Sequence, residues 1–109
     1  MIKFTVVTCT YNAEKELQRT LDSVQRQTYC NIELLIMDGG SRDRTLQLVK
    51  AYQHRNAVGE SSHEIVVISE LDKGLYDAMN QSIDRATGDY LVFMNAGDTF
   101  PTADTLEYV

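Results

Sequence analysis

Apolar and polar positions along the chain switch repeatedly between two spacings. Residues 2–9 (IKFTVVTC) are dense in β-branched and aromatic side chains, as a strand requires, whereas 13–28 carries Leu17, Leu21 and Val24 at helical intervals. The pair predicts a first βα unit. Residues 32–37 (IELLIM) form a near-continuous apolar run, the pattern of a strand covered on both faces, and DGGSRD breaks it before a helical segment at 43–55 with Leu46, Val49 and Tyr52 on its inner line. A third strand follows at 64–69 (EIVVIS), a third helix at 74–86 with Leu75, Met79, Ile83 and Ala86 on one face, and a fourth strand at 89–94 (DYLVFM). The polar stretch 56–63 (NAVGESSH) reads as a loop, and TADTLEYV at the end reads as helix without a stop signal.

Strands separated by helices of this length imply an α/β fold: an open, mainly parallel Rossmann-like sheet with flanking helices and right-handed crossovers, one domain over 1–109. Such sheets bind ligands beyond the carboxyl ends of their strands, where the strand order reverses. The four exits are TCTYN (8–12), MDGGS (37–41), SELDKG (69–74) and NAGD (95–98), which together gather Tyr11, Asp38, Asp72, Lys73 and Asp98.

Composition narrows what such a sheet can hold. A chain of 109 residues, 43% hydrophobic, can bury a core of its own. Its net charge of -6, without any run of Lys or Arg, is the wrong sign for a nucleic-acid partner, whose phosphates must be neutralised. Cys9 and Cys30 are too few for a disulfide framework, and Cys9 in its apolar run reads as a buried free thiol in a reducing compartment. No stretch approaches the ~18 apolar residues of a membrane span, and the start lacks the pattern of a secretory leader.

Acids at three of four strand exits supply hard oxygen donors, which suit Mg²⁺ or Mn²⁺, and such a cation suits a diphosphate. The first exit contains no glycine, and neither G-x-G-x-x-G nor G-x-x-x-x-G-K-[ST] occurs, so dinucleotide and P-loop readings lose their main support. Tyr11 offers a ring on which a base can stack, and Asp38 offers an acceptor for a base N–H. Each residue also has an ordinary reading. Asp and Asn are common in turns, which covers Asn95; Ser41 or Asp43 serves equally as a cap for the second helix. Tyr76, Asp77 and Asn80 either shape a pocket or satisfy buried backbone. His54 and His63 lack metal-ligand spacing and read as surface residues.

The segments TVVTCTYNAEKELQRTLDSVQRQTY, IELLIMDGGSRDRT and ELDKGLYDAMNQSIDRATGDYLVFMNAGD, in this order, resemble the N-terminal half of a family 2 glycosyltransferase of GT-A fold. The resemblance implies a nucleotide-sugar donor, with UDP favoured, held by Thr10, Tyr11, Asp38, Asp72 and Asn95. It implies a Mg²⁺ or Mn²⁺ ion on Asp98, the last acid of the family's D-x-D region, although Gly97 stands where a second acid is usual. It further implies inverting transfer to a saccharide or lipid-linked acceptor, on the cytoplasmic side and peripheral to the membrane's inner face. The family's catalytic base is expected outside this chain, which would then hold the donor half of a longer domain. Two alternatives differ in kind. A phosphoacceptor signalling domain would want an acidic pair after the first strand, where this chain has Cys9, Thr10, Tyr11 and Asn12. A non-catalytic nucleotide-binding or interaction module would keep the fold and could self-associate through an exposed sheet edge.

Overall fold

The computed structural model describes residues 2–59, 63–69 and 75–108, with the backbone alone for 75–79 and 108. Four strands, β1 (Phe4–Thr10), β2 (Ile32–Asp38), β3 (Glu64–Ser69) and β4 (Tyr90–Phe93), alternate with three helices, α1 (Leu17–Gln25), α2 (Thr45–Val58) and α3 (Leu75–Arg85). The strands form one sheet in the order β3-β2-β1-β4, and every pairing is parallel. The chain steps outward from β1 to β2 to β3, then returns across the sheet to place β4 on the free side of β1. The reversal therefore lies between β1 and β4.

Burial follows from that order. All seven residues of β2 are buried, as the unbroken apolar run requires of a strand with neighbours on both edges and helices on both faces. On one face Phe4, Val6, Leu34 and Ile36 meet Leu17, Leu21 and Val24 of α1 and Val49 and Tyr52 of α2. The opposite face, across which α3 returns, is thinner, with Val7, Leu35 and Met37 at its centre and Cys9 and Ile68 half-covered around them. Within that face Ser82 is fully buried while Ile83 is 55% exposed, the reverse of the expected stripe. Spacing explains the swap: 75, 79, 82 and 86 fit a 3.6-residue period as well as 75, 79, 83 and 86, and a small residue lets a helix approach its sheet closely.

Three further expectations are corrected. α2 continues through residues 56–58, which the polar composition assigned to a loop, because the Asn56 side chain is buried and brackets the His63 backbone, donating to its carbonyl (2.7 Å) and accepting its N–H (3.1 Å). His63 is consequently half-buried rather than a surface residue, with its Nε2 2.9 Å from the Tyr52 hydroxyl, and burial lowers its pKa. The terminal segment forms one 3-10 turn, Thr105–Tyr108, whose Leu106 plugs the core at 2% exposure.

At the amino ends of the strands a second buried cluster locks the sheet. Glu33 on β2 accepts the hydroxyl of its register partner Thr5 (2.9 Å), the Thr87 N–H (3.0 Å) and the Thr87 hydroxyl (2.9 Å). Gly88 donates its N–H to Thr5 Oγ1 at 2.9 Å, and a Cβ on Gly88 would sit 2.5 Å from that oxygen, so only glycine fits. This clamp fixes the turn that feeds β4 and hence the register in which β4 meets β1.

Candidate functional site

At the carboxyl edge the sequence-predicted residues come together around the exits of β1, β2 and β4. Thr10 and Asp38 end their strands in direct register, and the Thr10 hydroxyl donates to Asp38 Oδ1 at 2.8 Å. Asp38 Oδ1 also accepts the Ser41 hydroxyl (2.5 Å), while Oδ2 accepts the N–H of Gly40 (3.1 Å), the N–H of Ser41 (2.9 Å) and the Ser69 hydroxyl (3.0 Å). Burial alone would raise the pKa of this carboxyl, but the bonds from Ser41, Thr10 and Ser69 outweigh it and hold the pKa below the ordinary 3.8. Asp38 is 2% exposed. Both oxygens accept hydrogen bonds, and the carboxylate serves as the knot under the exit loops.

That knot extends outward. The Asn12 N–H donates to Ser41 Oγ (2.9 Å), and the Asn12 side-chain oxygen accepts the Arg42 N–H (2.8 Å), which ties the loop after β1 to the loop after β2. Asn12 has a φ of 48°, a left-handed conformation that Asn tolerates better than most residues. Asp43 accepts Thr45 N–H at 2.9 Å, as a residue opening α2 should, and its other oxygen accepts Glu14 N–H at 3.2 Å. Between these braces Tyr11 projects outward at 62% exposure. An exposed ring on a cross-braced loop beside the strand reversal is a ready stacking surface.

The exit of β4 is a tight turn. Asp98 N–H donates to the Asn95 carbonyl (2.9 Å), and Asp98 Oδ2 accepts the Asn95 N–H (3.0 Å), so the side chain closes the turn that carries it. Asn95 and Asp98 are both exposed. Gly97 has a φ of 103°, so an L side chain at that position would be strained by the backbone alone, although its Cβ would find ordinary contacts with Glu16 and Arg19. This accounts for the missing second acid: the turn that presents Asp98 requires glycine before it. Among the described residues no group of three or more His, Cys, Asp and Glu gathers to hold a metal. The donor set fits a cation held by one carboxylate together with a ligand's own phosphate oxygens and water, the habit of Mg²⁺.

Asp72 and Lys73 lie outside the described residues, and so do the side chains of Tyr76 and Asp77. Asn80 is exposed. Sequence reasoning missed Thr20 and Ser23 of α1 and Gln27 just beyond it, which meet the segment after β4. For Thr20 and Ser23 the signal was present as polar residues on the buried line of an amphipathic helix.

Strand order, a sheet covered on both faces and an acid at the exit of β4 beside the reversal define a GT-A type domain. The chain belongs to Glycosyl transferase family 2, whose model matches residues 5–109. It is 39% identical over 106 residues to a PGL/p-HBAD biosynthesis glycosyltransferase of Mycobacterium tuberculosis, a match that covers 97% of this chain and 40% of the relative. Glycosyltransferase GlyA of Streptococcus pneumoniae is 33% identical over 96 residues, 88% of this chain and 13% of that protein. Among solved structures, S. aureus TarS 1-349 in complex with UDP-GlcNAc superposes with a TM-score of 0.81 at 26% identity, over 98% of this chain and 30% of that one. Mannosyltransferase PcManGT from Pyrobaculum calidifontis, in complex with GDP-Man and Mn²⁺, gives 0.83 at 26% identity, over 96% of this chain and 30% of its own. The chain thus spans about two fifths of the length of the mycobacterial relative.

Proposed function

We propose that this domain binds the donor of a metal-assisted, inverting glycosyl transfer from a nucleotide-diphosphate sugar, UDP-sugar foremost, to a saccharide or lipid-linked acceptor. The observation that carries the reading is the placement, on the neighbouring exits of β1 and β4, of an exposed Tyr11 on a braced loop and an exposed Asp98 on a preset turn. Tyr11 stacks on the base, and Thr10 and Asp38 hold the floor that keeps it there. Asp98, with Asn95 beside it, faces the diphosphate. Asp72, which follows β3 in the sequence, is assigned to the same donor set. Mg²⁺ or Mn²⁺ bound through Asp98 would neutralise the diphosphate and stabilise it as it departs. The acceptor oxygen displaces it at the anomeric carbon, and the base that takes the acceptor proton is assigned to none of these residues. Complexes of two structural relatives with UDP-GlcNAc and with GDP-Man and Mn²⁺ support the donor class and the metal. We place the reaction at the cytoplasmic side of a membrane, with peripheral attachment; among the described residues no helix is long and apolar enough to cross one.

Calorimetric titration with UDP, GDP and dTDP, each with and without Mn²⁺, tests the reading. We expect one nucleotide to bind more tightly with the metal, and Asp98→Ala to abolish that gain while sparing metal-free affinity. Equal binding with and without metal, unchanged by the substitution, would sink it. One observation favours a second reading, a non-catalytic module that pairs with itself: β4 is an edge strand with Tyr90, Leu91 and Phe93 exposed at 57%, 37% and 42%. A sedimentation series in which the chain stays monomeric at high concentration counts against it.

A further inference from the structure

We infer that Thr20 of α1, with Ser23 and Gln27 in line behind it, is a positioning residue that sets where Asp98 stands; this rests on the donor-site reading above. Thr20 is 0% exposed, and its hydroxyl does two things at once. It accepts the Gly97 N–H at 2.7 Å and donates to the Asp98 carbonyl at 2.8 Å, so one side chain grips the backbone on both sides of the acid. The grip is set against the glycine whose φ of 103° aims the turn. Ser23 accepts the Phe100 N–H at 2.7 Å. Gln27 donates to the Thr102 carbonyl at 2.7 Å and accepts the Leu106 N–H at 3.1 Å.

Thr20 and Ser23 lie three positions apart on the buried face of α1 and Gln27 lies two residues beyond its end, so they form a row that starts on the helix and leaves it, and each bond runs from a side chain to backbone. Such a row reads the path of the chain rather than its sequence. Its consequence for the site is directional. Asp98 Oδ2 is held by the Asn95 N–H, the turn is held by Thr20, and Thr20 is held by a helix whose Leu17, Leu21 and Val24 are anchored in the core. The carboxylate is thereby fixed to the sheet through three rigid steps although it stands in solvent. A hydroxyl that both accepts and donates is required at position 20: valine has the same shape and neither capacity. Residues that orient a metal ligand typically govern metal affinity as strongly as the ligand's immediate surroundings do.

The test compares wild type, Thr20→Val, Thr20→Ser and Ser23→Ala in two measurements. The first is nucleotide affinity with and without Mn²⁺; the second is hydrogen exchange at the Gly97 and Phe100 amides without ligand. Thr20→Val is expected to lose about tenfold of metal-linked affinity, to leave metal-free affinity unchanged and to speed exchange at Gly97, with Thr20→Ser restoring both. Ser23→Ala, which removes a more distant tie, is expected to speed exchange at Phe100 with little effect on the metal-linked gain. A Thr20→Val chain that is folded and keeps the full metal-linked gain overturns the inference and leaves the donor site standing. A wild-type chain with no metal-linked gain overturns the donor site and the inference with it.

Discussion

The two ends of β2 each bury a carboxylate, and they are built for different ends. Glu33 is 3% exposed and Asp38 2%. In both, the cost of burial is outweighed by hydrogen bonds, so both pKa values lie below their ordinary positions. Glu33 accepts its donors from Thr5 and Thr87, and the tie it makes is between a strand and the turn before β4. Asp38 accepts from Thr10, Gly40, Ser41 and Ser69, which lie at or just beyond the ends of three neighbouring elements. One knot sets register and the other sets loops. Buried acids of like appearance can thus belong to the fold or to the site, and the partners, more than the burial, decide which.

The sharpest way to break that comparison is to cut each knot. Asp38→Ala leaves two backbone N–H groups and three hydroxyls without their acceptor, and should cost about 3–5 kcal/mol in urea unfolding; nucleotide affinity of the folded fraction should fall as the Tyr11 loop loses its floor. Glu33→Ala, which frees fewer donors, should cost about 2–4 kcal/mol with that affinity intact. Equal loss of affinity in both variants would erase the distinction between the two ends.

A smaller effect belongs to the β4 turn. Gly97→Asp restores the acid pair in sequence, yet the left-handed backbone should make it cost about 1–3 kcal/mol and give no gain in Mn²⁺-linked affinity; tighter metal binding by this variant would show that the turn can accommodate a second ligand. The smallest effect is in pH. Because Glu33 and Asp38 are held below their ordinary pKa values of 4.5 and 3.8, the unfolded chain binds protons first, so their stabilisation is complete above about pH 5 and is lost as pH falls through their folded values. Unfolding midpoints measured down to pH 2 should drop in wild type, and the drop should be shallower in Glu33→Gln and in Asp38→Asn.

The sheet was largely legible because its signals are local. β2 announced its burial on both faces through IELLIM, and the four strands and three helices fall where periodicity placed them, with shifted ends. Tyr11, Asp38, Asn95 and Asp98 stand at strand exits, where the rule for open α/β sheets placed them with no need of their environments. What the pattern left unread depends on distance in the chain. That Asp38 is consumed by five hydrogen bonds, that Asn56 extends α2 by holding His63, and that Ser82 displaces Ile83 from the inner line are facts about partners elsewhere. The role of Thr20 was hidden for the same reason, since the backbone it holds lies 77 residues away.

The strand order also fixes when the site can exist. β1 pairs with β2 as soon as the first βα unit closes, Phe4 meeting Ile32, but its other edge waits for Tyr90 and the rest of β4. Contacts between such distant segments form late, because the loop must be closed before the contact rewards it, and during synthesis the first half of the chain emerges well before its last strand. The exits of β1 and β4 are thus brought side by side only after the β1–β2–β3 part of the sheet can form. A ligand bound at those exits would stabilise only chains in which β4 has paired with β1, and so would reinforce that pairing.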